Sequence, residues 1–212
     1  MSAKLKNLHV MKHSCIADAL WYLRDEETPL DVFRRNSDTI SKLLIAEAMR
    51  DLSLRAETVK TPLTKTKAER LSEDVVVVPV LRAGLAMLFG VLELVPNTRV
   101  GFVGLERDEK TAIAKEYYWK IPTVTKNTVV MVVDPMLATG GSAIHVLKRI
   151  AAEKPKKLQL VSVIAAPEGI KAVNDLFPDV KIFTAAVDEK LNTQKYIVPG
   201  LGDYGDRYFG TT

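Results

Sequence analysis

The densest concentration of potential chemistry lies in residues 129–143, VVMVVDPMLATGGSA. An apolar run stops at Asp134, and five residues later Thr139, Gly140, Gly141 and Ser142 open a helical pattern. A helix N-terminus presents unpaired N–H groups and the positive end of the helix dipole. Glycines let a phosphate approach that backbone, and the hydroxyls of Thr139 and Ser142 add donors. Asp134 would repel a phosphate. It is better suited to accept hydrogen bonds from hydroxyl groups beside one, and a vicinal diol offers two such donors. A diol next to a monophosphate describes a ribose 5-phosphate. By spacing alone, a plain N-cap turn beside an exposed loop acid would use the same residues. The Walker pattern Gly-x-x-x-x-Gly-Lys-Ser/Thr is absent.

Two arginines sit in comparable places. Arg82 follows the run VVVVPVL, and Arg107 closes VGFVGLER. Guanidinium groups stay charged and donate in a planar fork that suits phosphate oxygens. Each alone could be a surface ion pair. Together, opposite Asp134, they could clamp a pyrophosphate. Near the C-terminus, GLGDYG at 200–205 spells G-x-G-x-x-G, but a dinucleotide site needs a helix there and further βαβ structure beyond, and little sequence follows. Those glycines instead suggest a loop whose main chain approaches a small planar ligand. Backbone N–H and C=O groups could then pair with a pyrimidine edge. A base offering an amino donor where such an edge expects a carbonyl would leave a buried polar group unpaired.

These residues need a scaffold that brings strand ends together. Short β-branched runs at 74–84, 98–107, 127–135, 157–167 and 180–188 alternate with helical patterns at 84–94, 141–153 and 168–177, after helical spacing at 11–23 and 31–50. That alternation predicts an α/β fold with a mostly parallel twisted sheet covered by helices on both faces. Ligands then bind beyond the carboxyl ends of the strands, where Arg82, Arg107 and Asp134 fall. The polar stretch 106–120, ERDEKTAIAKEYYWK, reads as a projecting arm or a water-excluding lid; Tyr117, Tyr118 and Trp119 could instead pack on a partner subunit.

A chain of 212 residues fits one domain spanning 1–212. Its net charge of +4 is spread without long tracts, which favours an anionic ligand without demanding nucleic acid. Lys154-Pro155-Lys156-Lys157 is the densest basic patch and reads as a solvated turn. Cys15 is the single cysteine, so no intrachain disulfide forms, as suits a reducing cytosol. His13 is close enough to activate it, but its place in an amphipathic helix favours packing over nucleophilic chemistry. The N-terminal residues lack a signal-peptide pattern, and no run reaches membrane-spanning length.

The loop VVDPMLATGGSA resembles the phosphoribosyl-diphosphate loop of type I phosphoribosyltransferases, in the form found in uracil phosphoribosyltransferases. Most of the wider group carry two adjacent acids; here Pro135 takes the second place, as in the uracil enzymes. The tail YIVPGLGDYGDRYFGT is similar to the uracil-binding signature of that family, and FRRNSDTISKLLIAEAMRDL looks like its N-terminal helical region. The resemblance runs from about residue 10 to the end. It implies a type I phosphoribosyltransferase-like fold with a small C-terminal and arm hood. It also implies donor binding by Arg82, Arg107, Asp134, Pro135, Met136, Leu137, Ala138, Thr139, Gly140, Gly141, Ser142 and Asp203. Uracil would be contacted by Ile197, Gly202, Asp203 and Tyr204, mainly through main-chain atoms. Many bacterial relatives have Ala at the position of Tyr204, which leaves a backbone contact intact but bears on the outer shape of the pocket.

The activity so implied transfers 5-phosphoribose from its 1-diphosphate to N1 of uracil, giving UMP and diphosphate. Arg107, Asp134 and Asp203 would be the catalytic residues, with Mg²⁺ carried by the donor and its shell reached by Asp203. No residue stands out as a base for N1. The resemblance also implies GTP activation, homo-oligomers and a cytoplasmic protein. Two other readings stay open at this point: a phosphoribosyltransferase for purine or orotate, and an RNA-binding regulator on the same scaffold, which the unclustered charge disfavours.

Overall fold

The computed structural model describes residues 6–107 and 114–211, with Arg107 and Ala114 described by their main chain alone. Strand β1 (Leu8–Val10) is followed by helices α1 (Ser14–Arg24) and α2 (Leu30–Ala48). An antiparallel hairpin of β2 (Leu54–Lys60) and β3 (Lys65–Leu71) comes next. Then β4 (Asp74–Leu81), α3 (Leu85–Leu94), β5 (Arg99–Val100), β6 (Phe102–Arg107) and β7 (Ala114–Lys120) follow. The second half holds β8 (Thr128–Val133), β9 (Met136–Leu137), α4 (Gly141–Ala152), β10 (Lys157–Ala165), α5 (Pro167–Leu176) and β11 (Lys181–Val187). It closes with a ribbon of β12 (Lys190–Leu191) and β13 (Ile197–Val198), and α6 (Tyr204–Phe209).

The main sheet runs β1-β11-β10-β8-β4-β6-β7, with β5 beside β4 and β9 beside β10. Its pairings are parallel except for β6 with β7. The central strands explain why. β8 is TVVMVV, buried at every position, and β4 is nearly so. A strand with no polar face must be covered on both sides. Val75, Val77, Val129, Met131 and Val133 pack against α1, α2, α3 and α6, while Val76, Val78, Val130 and Val132 pack against α4 and α5. The predicted architecture is therefore the observed one.

Several expectations need correction. The β2–β3 hairpin went unforeseen, because both strands are exposed at every residue and so carry no hydrophobic period. Of the arm predicted at 106–120, residues 114–120 form an edge strand on β6, and 108–113 lie outside the described residues. Trp119 is taken up by its own chain: it packs on the α4–α5 face, and the Arg149 guanidinium lies 3.7 Å from its ring centre. Cys15 is exposed rather than packed, and its N–H donates to His13 Nδ1 at the start of α1. In the basic patch, Lys156 and Lys157 are tied to Glu73 and to the Asp51 carbonyl, so the turn is anchored.

Candidate active site

Asp134 leaves β8 where the neighbouring strand β10 continues, and the two stay in contact. Asp134 N–H donates to Val161 O at 3.1 Å, and Pro135 O accepts from the N–H groups of Val163 and Ile164, each at 3.0 Å. Met136 and Leu137 then form β9 on β10, and Ala166 N–H donates to Leu137 O at 2.8 Å. A proline at 135 suits this path, since its carbonyl does the pairing and it needs no N–H. At Gly140 the backbone turns left-handed, φ 83°, which L side chains resist. Helix α4 begins at the next residue, with Ile144 N–H reaching Gly140 O and Gly141 N–H donating to Thr139 Oγ1 at 3.4 Å. The amides that follow in its first turn are left for a ligand. Asp134, residues 136–143, Leu160 and Ser162 line one concavity there. The loop predicted at 134–142 is thus one continuous cradle.

Asp134 keeps an exposed edge at this cradle, but the rest of its carboxyl is enclosed. Burial pushes its pKa up to about 7, against a lowering hydrogen bond from the Met136 amide. A carboxyl poised there exchanges its proton near neutrality and gains from any donor that holds its ionised form.

Arg82 follows β4 directly, after a cis Leu81–Arg82 peptide. The turn fits against β8 because residue 84 is glycine: a Cβ there would lie 2.5 Å from Val133 O. Since β8 and β4 pair up to Val133 and Pro79, the turn sits beside Asp134's strand end. The Arg82 side chain is half exposed and pairs with Asp206, and its Nη1 donates to Thr211 Oγ1 at 3.3 Å. Thr211 and Arg82 hydrogen bonds hold the Asp206 carboxyl below its ordinary value. Arg107 ends β6, the parallel neighbour of β4, so its main chain reaches the same sheet edge; its side chain lies outside the described residues.

The C-terminal residues come to this edge as well. Ile197 is buried in β13, Val198–Pro199 is cis, and Gly202 has φ 80°. The tail, predicted to be a loop, turns helical at its end: Asp203 Oδ1 accepts from Asp206 N–H at 2.9 Å and caps the short helix α6. The side chain of Tyr204 turns away into the core. It is 1% exposed, lies edge-on to Phe33, and donates its hydroxyl to Ser37 Oγ at 2.7 Å. The Tyr204 ring therefore shapes no outer pocket wall. Gly205 lies against Ala83 and Arg82, joining the two halves. Asp206, the partner of Arg82, was not singled out in the sequence; its place in GDYGD beside Asp203 is the only signal it left.

A family model described as uracil phosphoribosyltransferase matches residues 10–211. The chain is 46% identical to the uracil phosphoribosyltransferase of Campylobacter curvus, covering 98% of this chain and 100% of that one. It is 48% identical to that of Wolinella succinogenes, over 95% and 97% of the two chains. Among solved structures, the AQ2163 protein of Aquifex aeolicus superposes with TM-score 0.92 at 38% identity, covering 97% of this chain and 99% of that chain. An orotate phosphoribosyltransferase of Mycobacterium tuberculosis, in complex with 5-phospho-alpha-D-ribosyl 1-diphosphate, shares the fold with TM-score 0.52 at 14% identity, over 84% and 95% of the two chains.

Proposed function

The chain belongs to the uracil phosphoribosyltransferase family, and from that premise we propose that it joins uracil N1 to C1 of 5-phosphoribosyl 1-diphosphate, releasing UMP and diphosphate. One observation carries the assignment of parts. Adjacent parallel strands β8, β4 and β6 deliver the 134–142 cradle, Arg82 and Arg107 to a single sheet edge, with the 197–205 segment against it. Family membership sets aside the purine, orotate and RNA readings.

In this reading the first amides of α4, with Thr139 and Ser142, hold the 5′-phosphate. Asp134 accepts from the ribose hydroxyls, and Pro135 through Ala138 shape the floor. As the C1–O bond to diphosphate breaks and the N1–C1 bond forms, positive charge grows on the sugar and negative charge on the leaving group. Arg82 and Arg107 neutralise the latter. The N1 proton passes to solvent, and no side chain is assigned as its base. Holding both substrates in line contributes the other major part of the rate.

Mg²⁺ fits as a passenger of the donor. One oxygen of Asp203 is committed to capping α6, and its carboxylate still has capacity for the hydration shell of a hard, oxygen-seeking cation. When bound, Mg²⁺ supplies further charge neutralisation at the diphosphate. The main chain of Ile197, Gly202, Asp203 and Tyr204 reads uracil.

Assembly as a homo-oligomer is supported by the β2–β3 hairpin, whose strands are exposed throughout and whose tip residue Leu63 is 95% exposed. A lone two-stranded ribbon is marginal in water unless something packs on it. We extend the reading to GTP activation and a cytoplasmic location on the ground of family likeness. No helix among the described residues is long and apolar enough to cross a membrane. Conversion of radiolabelled uracil, with the donor, Mg²⁺ and GTP each omitted in turn, tests the reading. UMP formed only when donor and Mg²⁺ are present supports it, and conversion without the donor defeats it.

A further inference from the structure

Away from the donor cradle, one ionic cluster grips the main chain of the C-terminal loop. Asp188 follows β11 and is anchored there, its N–H donating to Ala165 O at 2.9 Å. Arg24, the last residue of α1, meets it in a forked pair, Nη1 to Oδ2 at 3.0 Å and Nη2 to Oδ1 at 2.5 Å. The acid's side chain is 3% exposed. Both partners then seize a single residue. Gly200 N–H donates to Asp188 Oδ2 at 2.9 Å, and Arg24 Nη1 donates to Gly200 O at 2.7 Å. Arg207 holds the next carbonyl, Leu201 O, at 2.8 Å, while its other donors reach Leu23 O in the last turn of α1 and Asp25 O just past it. The clamped residue has to be glycine: its φ is 66°, and a Cβ there would lie 2.2 Å from Ile197 O, so its fixed position comes from the hydrogen bonds to its two peptide groups.

We infer that Arg24 and Asp188 form a clamp that sets the main-chain position of the nucleobase loop, and so govern uracil affinity without touching uracil. The inference rests on the reading above that residues 197 and 202–204 contact the base. A site that reads its ligand through backbone groups cannot adjust by side-chain rotation, so its accuracy depends on whatever fixes that backbone. Gly200 stands two residues before Gly202, and both of its peptide groups are held by charged partners, which make the stronger class of hydrogen bond. A pair serving stability alone has no need to engage both groups of one loop residue; buried pairs are commonly replaceable by apolar side chains at no loss.

The test uses the full chain. Asp188→Asn keeps the shape and loses the charge. Arg24→Lys keeps the charge and loses the fork. Each should raise the KM for uracil about tenfold or more, the effect of losing a charge-assisted bond, while the donor KM and kcat stay within about threefold. The paired variant Arg24→Met with Asp188→Leu guards against misfolding: it should keep its melting temperature and still show the uracil shift. Amide exchange at 200–202 should quicken about tenfold in all three. Folded variants with an unchanged uracil KM, or with donor and uracil KM rising together, overturn the clamp while leaving the activity standing. Wild-type protein that makes no UMP overturns the functional reading and the clamp's role with it.

Discussion

Arg82 at the end of β4 is ion-paired with Asp206 of α6, although 124 residues separate them in sequence. The pair ties the diphosphate side of the site to the loop assigned to the nucleobase. It also occupies the guanidinium that, on the proposed reading, would meet the leaving diphosphate.

Asp206→Asn should therefore free Arg82 for the donor. A half-exposed, solvent-screened pair of this kind contributes little to stability, so the fold should be unaffected. The donor KM should fall by about twofold to fivefold, and most clearly at low salt. Steady-state kinetics at two ionic strengths check this; a donor KM that rises would show that Asp206 presents Arg82 rather than restrains it.

Asp134→Asn should weaken the donor and strengthen the fold. The carboxyl's pKa is raised from 3.8 in the unfolded range to about 7. The native state therefore holds the proton more tightly, and stability falls as pH climbs through that window. The amide removes this cost, so its advantage is absent near pH 4 and complete above pH 7. Allowing for the solvent-facing edge, we expect about 1–2 kcal/mol, or about 2–8 °C in Tm at pH 8. Melts at pH 4 and pH 8 read the sign, and calorimetry with the donor reads the lost affinity.

Tyr204→Phe should cost stability and spare uracil binding. The hydroxyl it removes is bonded to Ser37, itself fully buried, and an orphaned interior hydroxyl costs about 1–3 kcal/mol. Denaturant titration should show that loss while the uracil KM moves less than about twofold, because the base meets the main chain. A large uracil effect would place the ring, not the backbone, in the recognition.

Arg107→Ala should lower turnover by about 10²-fold or more, the usual effect of removing a donor aimed at developing charge. Uracil selectivity should persist. A UMP-formation assay run with uracil and cytosine separates the two effects.

The parts of this molecule that were legible in the sequence are those with a local signature. VVVVPVL and TVVMVV announce buried parallel strands because nothing polar interrupts them, and the Asp134 cradle shows itself as glycines and hydroxyls at a strand's end. What stayed hidden depends on distant partners. The charged residues of β2 and β3 have no buried face to set a period. Asp206 gains meaning from Arg82, and Asp188 from Arg24 and Gly200. Tyr204 could be placed near the base by its neighbours, but the direction of its ring was decided by Ser37 and Phe33, nearly 170 positions upstream.

The stitching of residues 134–137 onto β10 carries a consequence for how the donor is met. Many phosphate loops are slack until their ligand arrives, and part of the attraction is then consumed in freezing them. Here the sheet imposes the shape as the polypeptide folds, so on the proposed reading the sugar phosphate would encounter a mould already set. Substitutions that loosen the strand edge beneath it, at Val161 or Val163, should erode donor affinity through lost rigidity, with every contacting residue still in place.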